Sequence, residues 1–120
     1  SQGRAIMANL TGFKRDSISL YIDKSPDSNI QYGLDFTEYL NSGDTILSAT
    51  ATLSTVVGDT APLAFPTNEA TDVYITSALV NVRVEGGSIG NIYTVKITII
   101  TTQGDTDSRS FRIAVKEKLL

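Results

Sequence analysis

The sequence contains no cysteine, no histidine and no tryptophan in its 120 residues. Without cysteine it has neither a disulfide framework nor a thiolate metal site, so redox chemistry says nothing about its compartment. Without histidine it has no Ser-His or Cys-His nucleophilic pair and no imidazole zinc site. These absences exclude most hydrolase and metalloprotease chemistries. We therefore predict a protein that is not an enzyme and has no catalytic, cofactor-binding or metal-binding residues.

Positive charge and long apolar runs are also scarce. The net charge is −3 and the isoelectric point is about 4.7, which opposes the counterion release that drives nucleic-acid binding. No apolar run approaches the roughly 20 residues that span a bilayer. We expect no cofactor, and neither nucleic acid nor a membrane as a partner.

The remaining acid-base groups are carboxylates, and two of them suffice for a glycosidase. Most aspartates, however, stand beside glycine, serine, proline or threonine, where their side chains favour turns. Asp105 and Asp107 are spaced like calcium ligands, but the D-x-D-x-D-G pattern is missing. The glycine-rich segment 86–90 lies between two predicted strands and lacks the helix start and lysine of a phosphate-binding loop. Both segments are predicted to be loops.

What the sequence does contain is alternation of apolar and polar residues, most clearly from Gly86 to Val115. This two-residue period predicts strands with one buried face. Similar short runs recur along the chain, with turn signals every 8–12 residues, a spacing typical of sandwiches. We predict an all-β, immunoglobulin-like antiparallel β-sandwich of about seven or eight strands. The expected core comprises Leu20, Leu34, Phe36, Val80, Val82, Tyr93, Val95, Ile97, Phe111 and Ile113.

The length predicts a single domain. Residues 1–6 are interpreted as a remnant of expression cloning, with Met7 as the natural start. Residues 1–17 are expected to form a loose N-terminal segment, and residues 18–118 the domain. Residues 55–72 are expected to be irregular, with one short edge strand.

The third predicted strand runs from Thr45 to Leu53, and its alternating residues divide between two faces. Leu47, Ala49, Ala51 and Leu53 are expected to face inward, and Ile46, Ser48, Thr50 and Thr52 to face outward.

For two groups of tyrosines the sequence is compatible with more than one role. Tyr93 follows a glycine-containing loop at the start of the penultimate strand, where its hydroxyl can bond back to the preceding corner; the alternative is a core aromatic with its hydroxyl at the rim. Tyr21, Tyr39 and Tyr74 are expected near the surface, either as scattered aromatics or as a sugar-stacking or interface set.

The order and spacing of several short motifs resemble those of small tailed-bacteriophage proteins called fiber-tail adaptor proteins. The resemblance covers residues 19–116. It is carried by Lys24-Ser25-Pro26-Asp27, Tyr32-Gly33-Leu34-Asp35-Phe36, Gly43-Asp44-Thr45-Ile46, Tyr93-Thr94-Val95 and Arg109-Ser110-Phe111.

The resemblance implies an immunoglobulin-like, non-catalytic virion component of a phage or prophage. Such a protein would be assembled in the cytoplasm of the bacterial host and would join the tail to a fibre, or dock on the particle surface, through contacts with other virion proteins. The alternatives are a carbohydrate-binding or adhesin-type surface module of the same fold and, further off, a glycosidase fragment.

A candidate contact surface lies on the solvent row of the strand after Gly90. Ile92, Thr94, Thr98 and Ile100 share this row, and an apolar stripe on an exposed face commonly marks a protein partner. We expect this face, with the adjoining loops 86–90 and 103–107, to pack against another copy of the chain or a neighbouring virion protein. The alternative is that the N-terminal segment covers the two isoleucines, or that they lie at strand ends.

Overall fold

The computed structural model describes residues 14–15, 20–66 and 73–117. This part of the chain forms nine strands and one 3₁₀ turn, Thr37–Tyr39. The strands are β1 (Lys14–Arg15), β2 (Leu20–Lys24), β3 (Asn29–Asp35), β4 (Ile46–Leu53), β5 (Leu63–Ala64), β6 (Val73–Thr76), β7 (Leu79–Gly86), β8 (Ile92–Thr101) and β9 (Thr106–Val115).

The strands form two sheets. The first has five strands in the order β1-β2-β9-β8-β4. In the second, β7 pairs with β3 along one edge and with β5 and β6 along the other. The core lies between the two sheets, which confirms the predicted sandwich. Within the described ranges no helix is long and apolar enough to cross a membrane.

Alternating side chains fill this core as the sequence predicts. Ile97 is fully buried, whereas its neighbour Lys96 is exposed. The buried residues include nine of the ten predicted core residues. The tenth, Leu20, begins β2, and its side chain lies outside the described part of the structure.

The prediction of purely antiparallel pairing is wrong at one place. β2 pairs with β9 in parallel, with Tyr21 opposite Arg112 and Lys24 opposite Val115. The described residues form nine strands where about seven or eight were expected, and β1 and β5 are paired segments of only two residues. Strand β5 is the short strand expected within residues 55–72. Apart from Lys14–Arg15, the expected loose N-terminal segment lies outside the described residues.

The predicted faces of β4 are wrong at its first two residues. Leu47, expected inside, is 63% exposed, and Ile46, expected outside, packs against the core. The register between β4 and β8 shifts between Ile46 and Ser48. A bulge of this kind adds one residue and reverses the alternation on one side of it. Ala49, Ala51 and Leu53, beyond the bulge, pack against the core as predicted.

The side chain of Lys24 is charged and lies in the interior. Lys24, at the end of β2, is only 1% exposed. Its Nζ donates hydrogen bonds to the carbonyl oxygens of Ser25 (2.8 Å) and Gly86 (2.7 Å). Burial lowers the pKa of this amine, while Asp27 and Glu85 act in the opposite direction. The bond to Gly86 ties the end of β2 to the end of β7, and so connects the two sheets.

Candidate interaction surface

The outer face of the five-stranded sheet carries the solvent rows of β2, β4, β8 and β9. The registers place Tyr21 and Asp23 of β2 beside Arg112 and Ala114 of β9. They also place Ser48, Thr50 and Thr52 of β4 beside Ile100, Thr98 and Lys96 of β8. Serine and threonine predominate on this surface. We call it the outer face; it comprises Tyr21, Asp23, Ser48, Thr50, Thr52, Ile92, Thr94, Lys96, Thr98, Ile100, Ser108, Ser110, Arg112 and Ala114.

The four residues of the predicted contact all lie on the β8 row of the outer face. Ile92 is 54% exposed and Ile100 is 43% exposed. Thr94 and Thr98 are half-buried, and the hydroxyl of Thr98 lies 2.8 Å from that of Ser108 on the neighbouring strand. The exposed isoleucines are near the two ends of β8, with the threonines between them.

The row is not continuously apolar. Lys96, which is not among the four predicted residues, projects from its midpoint and is exposed. Ile92 and Ile100 are eight residues apart, which in an extended strand corresponds to about 27 Å. The surface therefore has two separate apolar ends and a polar centre, rather than one apolar stripe.

Leu47 is a further exposed apolar residue, next in sequence to the outer-face residue Ser48. Ser48 is the register partner of Ile100, and Leu47, just before it, is turned into solvent by the bulge. Strict alternation places this leucine in the core, so pattern reasoning missed it. The adjacent apolar residues Ile46 and Leu47 are the signal that could have indicated it, because two apolar residues in succession interrupt a two-residue period.

A hydrogen-bond network fixes the loop that precedes Ile92. The carboxylate of Asp59 accepts hydrogen bonds from the hydroxyls of Ser88 and Tyr93 and from the Ala61 N–H (3.1 Å). The Ser88 N–H in turn donates to the Tyr93 hydroxyl (3.0 Å). Of the two alternatives for Tyr93, the bond back to the preceding corner is therefore confirmed. The bonds from Ser88 and Tyr93 hold the pKa of Asp59 below its ordinary value, against a smaller opposing effect of burial.

A second aspartate fixes the turn that follows Ile100. Oδ1 of Asp44 accepts hydrogen bonds from the Thr45 N–H (2.8 Å), the Thr102 hydroxyl (2.9 Å) and the Gln103 N–H (3.1 Å). Burial alone would raise the pKa of this carboxyl, but hydrogen bonds from Thr101, Thr102 and the two backbone groups lower it overall. Both loops that flank β8 are thus anchored by aspartate, which agrees with the turn-forming role predicted for these residues.

The two carboxylates of the calcium-like segment have side-chain partners. Asp105 accepts a hydrogen bond from the Asn41 amide (2.9 Å), and Asp107 pairs with Arg109 (3.3 Å). In the described part of the chain, no three acidic residues come close enough together to hold a metal ion.

The three surface tyrosines lie on different elements. The guanidinium of Arg109 stacks on Tyr39, 3.8 Å from the ring centre, and the hydroxyl of Tyr74 donates to Gln31 (2.7 Å). Tyr21 lies on the outer face, with the guanidinium of Arg112 5.9 Å from its ring centre. Arg109 thus occupies one face of the Tyr39 ring.

These features define the class of a small β-sandwich protein with anchored end loops and a broad, hydroxyl-rich outer face. The family model of the podophage GP4 fiber-tail adaptor protein gp77 matches residues 24–114, from the last residue of β2 to the penultimate residue of β9. The chain belongs to this family and is a structural adaptor protein of the phage tail, so the family predicted by resemblance is confirmed. It is therefore a virion component whose partners are other virion proteins. Comparison with curated proteins gives no match.

Proposed function

We propose that this adaptor works without catalysis, by laying its outer face against a neighbouring virion protein, with Ile92, Thr94, Thr98 and Ile100 in the contact. Joining would take place during particle assembly in the host cytoplasm. The net charge of −3 favours protein over nucleic acid as the surface that is bound.

The observation that carries this proposal is the contrast between the two rows of β8. The inner row, which includes Val95 and Ile97, is buried. The outer row exposes a large apolar side chain near each end, at Ile92 and Ile100. A contact on this face would remove both isoleucines from water, which favours association.

The anchored loops contribute to the proposed binding. Asp59 holds the loop before Ile92, and Asp44 holds the turn after Ile100. Because a preordered surface loses less conformational entropy on binding, fixing both ends favours association. The complementary partner would offer two apolar recesses roughly 27 Å apart, with hydrogen-bonding groups between them for the threonine hydroxyls.

Substitution of the two isoleucines tests the proposal. Ile92→Glu and Ile100→Glu, separately and together, place a charge in the contact without entering the core. We expect the double variant to keep the wild-type circular dichroism spectrum and melting temperature, but to be lost from purified tail particles. The control is Val57→Glu, which adds the same charge at a fully exposed loop position that is not one of the outer-face residues, and which should be incorporated normally.

Normal incorporation of the folded double variant would place the contact elsewhere. Two further measurements separate the alternative functions. Specific binding to a glycan array would favour a carbohydrate-binding module, and hydrolysis that is lost on substitution of a single carboxylate would identify an enzyme.

A further inference from the structure

A cavity of about 630 Å³ lies at the end of the sandwich where β3 finishes and β4 begins. Its apolar wall comprises Leu40, Ile46, Ile75 and Ala78. Ile46 belongs to the five-stranded sheet and Ile75 to the other sheet, so the cavity lies between the two sheets. Its volume is in the range of ligand sites in proteins.

The mouth of the cavity is polar and acidic. It is formed by exposed side chains of Thr37, Asn41, Ser42, Thr45 and Ser77. Two of these residues hold carboxylates beside the cavity. The Thr37 N–H donates to Asp35 (2.8 Å), and the side-chain amide of Asn41 donates to Asp105 (2.9 Å).

A third carboxylate, that of Asp44, belongs to the wall itself. Asp44 is only 8% exposed, and its Oδ1 accepts three hydrogen bonds. Its Oδ2 is buried without a hydrogen bond of ordinary geometry, although the Thr101 hydroxyl helps to keep the carboxyl ionised. A buried charge whose hydrogen bonding is incomplete is stabilised by an opposite charge nearby.

The described part of the chain does not supply that opposite charge from the cavity wall. No lysine or arginine is among the described residues that line the cavity. Arg109, which stacks on Tyr39 next to Leu40, is paired with Asp107. The cavity therefore combines an apolar wall with an excess of negative charge.

We propose that this cavity binds a lysine or arginine side chain of a second virion protein. The aliphatic stem of such a side chain packs on the apolar wall, and its cation lies beside Asp44 and the carboxylates at the mouth. An adaptor joins two partners and so needs two contact surfaces. None of the residues that line the cavity belongs to the outer face, so the two surfaces can be occupied at the same time.

A matched pair of variants at the mouth tests the proposal in the particle. Ser42→Lys places a competing ammonium group at the cavity, whereas Ser42→Glu adds a charge of the sign that a basic side chain requires. Ser42 is exposed, so both variants should keep the wild-type melting temperature. Ser42→Lys should be lost from purified tail particles, and Ser42→Glu should be incorporated like wild type.

A peptide provides the second test. Acetyl-Leu-Arg-Leu-amide, titrated at millimolar concentration into isotope-labelled protein, should shift the amide NMR signals of Leu40, Asp44 and Ile75. Replacing its arginine with citrulline, an uncharged isostere, should weaken binding about tenfold or more. Asp44→Asn should have a similar effect, because it removes the charge but keeps a carbonyl oxygen in the place of Oδ1.

Four results would overturn the inference. These are equal behaviour of Ser42→Lys and Ser42→Glu in the particle, no peptide shifts at the cavity, equal binding of the citrulline peptide, or binding of free arginine as tight as that of the peptide. The Ile92→Glu/Ile100→Glu variant should bind the arginine peptide like wild type. This last comparison separates the cavity from the proposed docking of the outer face.

Discussion

The hydroxyl of Tyr93 donates a hydrogen bond to the carboxylate of Asp59, a residue 34 positions earlier in the chain. The same carboxylate accepts the hydroxyl of Ser88, and the Ser88 N–H donates to the Tyr93 hydroxyl. Three side chains thus fasten the loop after β4 to the loop before β8. Because the network borders Ile92, it determines the shape of one end of the outer face.

This network predicts a loss of stability in acid. Hydrogen bonds from Ser88 and Tyr93 hold the pKa of folded Asp59 below its ordinary value of 3.8. The stabilisation from the ionised carboxylate is therefore complete above the unfolded pKa and is lost as the pH falls through the folded value. Asp59→Asn should lower the melting temperature at pH 7, and its difference from wild type should shrink below about pH 4. Thermal melts between about pH 2 and 7 measure this; a difference as large at pH 2 as at pH 7 would contradict it.

Shortening a side chain that the alternation places in the core should lower the free energy of unfolding. Ile97→Ala removes a fully buried side chain, and we expect it to lower the free energy of unfolding by about 2–5 kcal/mol. The neighbouring Lys96→Ala, on the outer face, should change it by less than about 0.5 kcal/mol. Urea titrations of the two variants give the comparison. Equal effects would show that the assignment of faces in β8 is wrong.

Substitution of two glycines by alanine distinguishes the cost of backbone strain from the cost of steric conflict. Gly87 has a φ of +100°, and an added Cβ would lie 2.6 Å from Cγ2 of Val115. Gly90 has a φ of +92°, but nothing lies within 4 Å of its added Cβ. We expect Gly90→Ala to cost about 1–3 kcal/mol through backbone strain alone, and Gly87→Ala to cost more. Chemical denaturation under identical conditions tests the order, and similar losses would show that Val115 moves aside.

The sequence predicted those features that depend on local alternation. Ile97 lies inside and Lys96 outside because side-chain direction reverses at each residue of a strand. The exposure of Ile92 and Ile100 follows from the same rule. The rule failed at Leu47, because the bulge changes the register through the backbone and leaves only a weak mark in the sequence.

Relationships between distant residues were beyond pattern reasoning. Asp59, between Gly58 and Thr60, fits the turn role predicted for most aspartates. Its bond to Tyr93, however, depends on how two loops meet in the folded chain. The burial of Lys24 was also not predicted, since its partners are carbonyl groups of residues as remote as Gly86. The direction of a strand likewise has no periodic signature, which is why the parallel pairing of β2 with β9 was missed.

That parallel pairing has a consequence for the order in which the protein folds on the ribosome. Residues 21–24 of β2 bond to residues 112–115 of β9, so these partners are separated by almost the whole domain. A growing chain emerges from its N-terminal side, and β2 must remain without this partner until β9 has been made. Contacts of such long sequence separation are also slow to form, because a large loop has to close first. The inner hairpin of β8 and β9 can form locally, whereas β2 adds to the sheet as a late step that completes the domain.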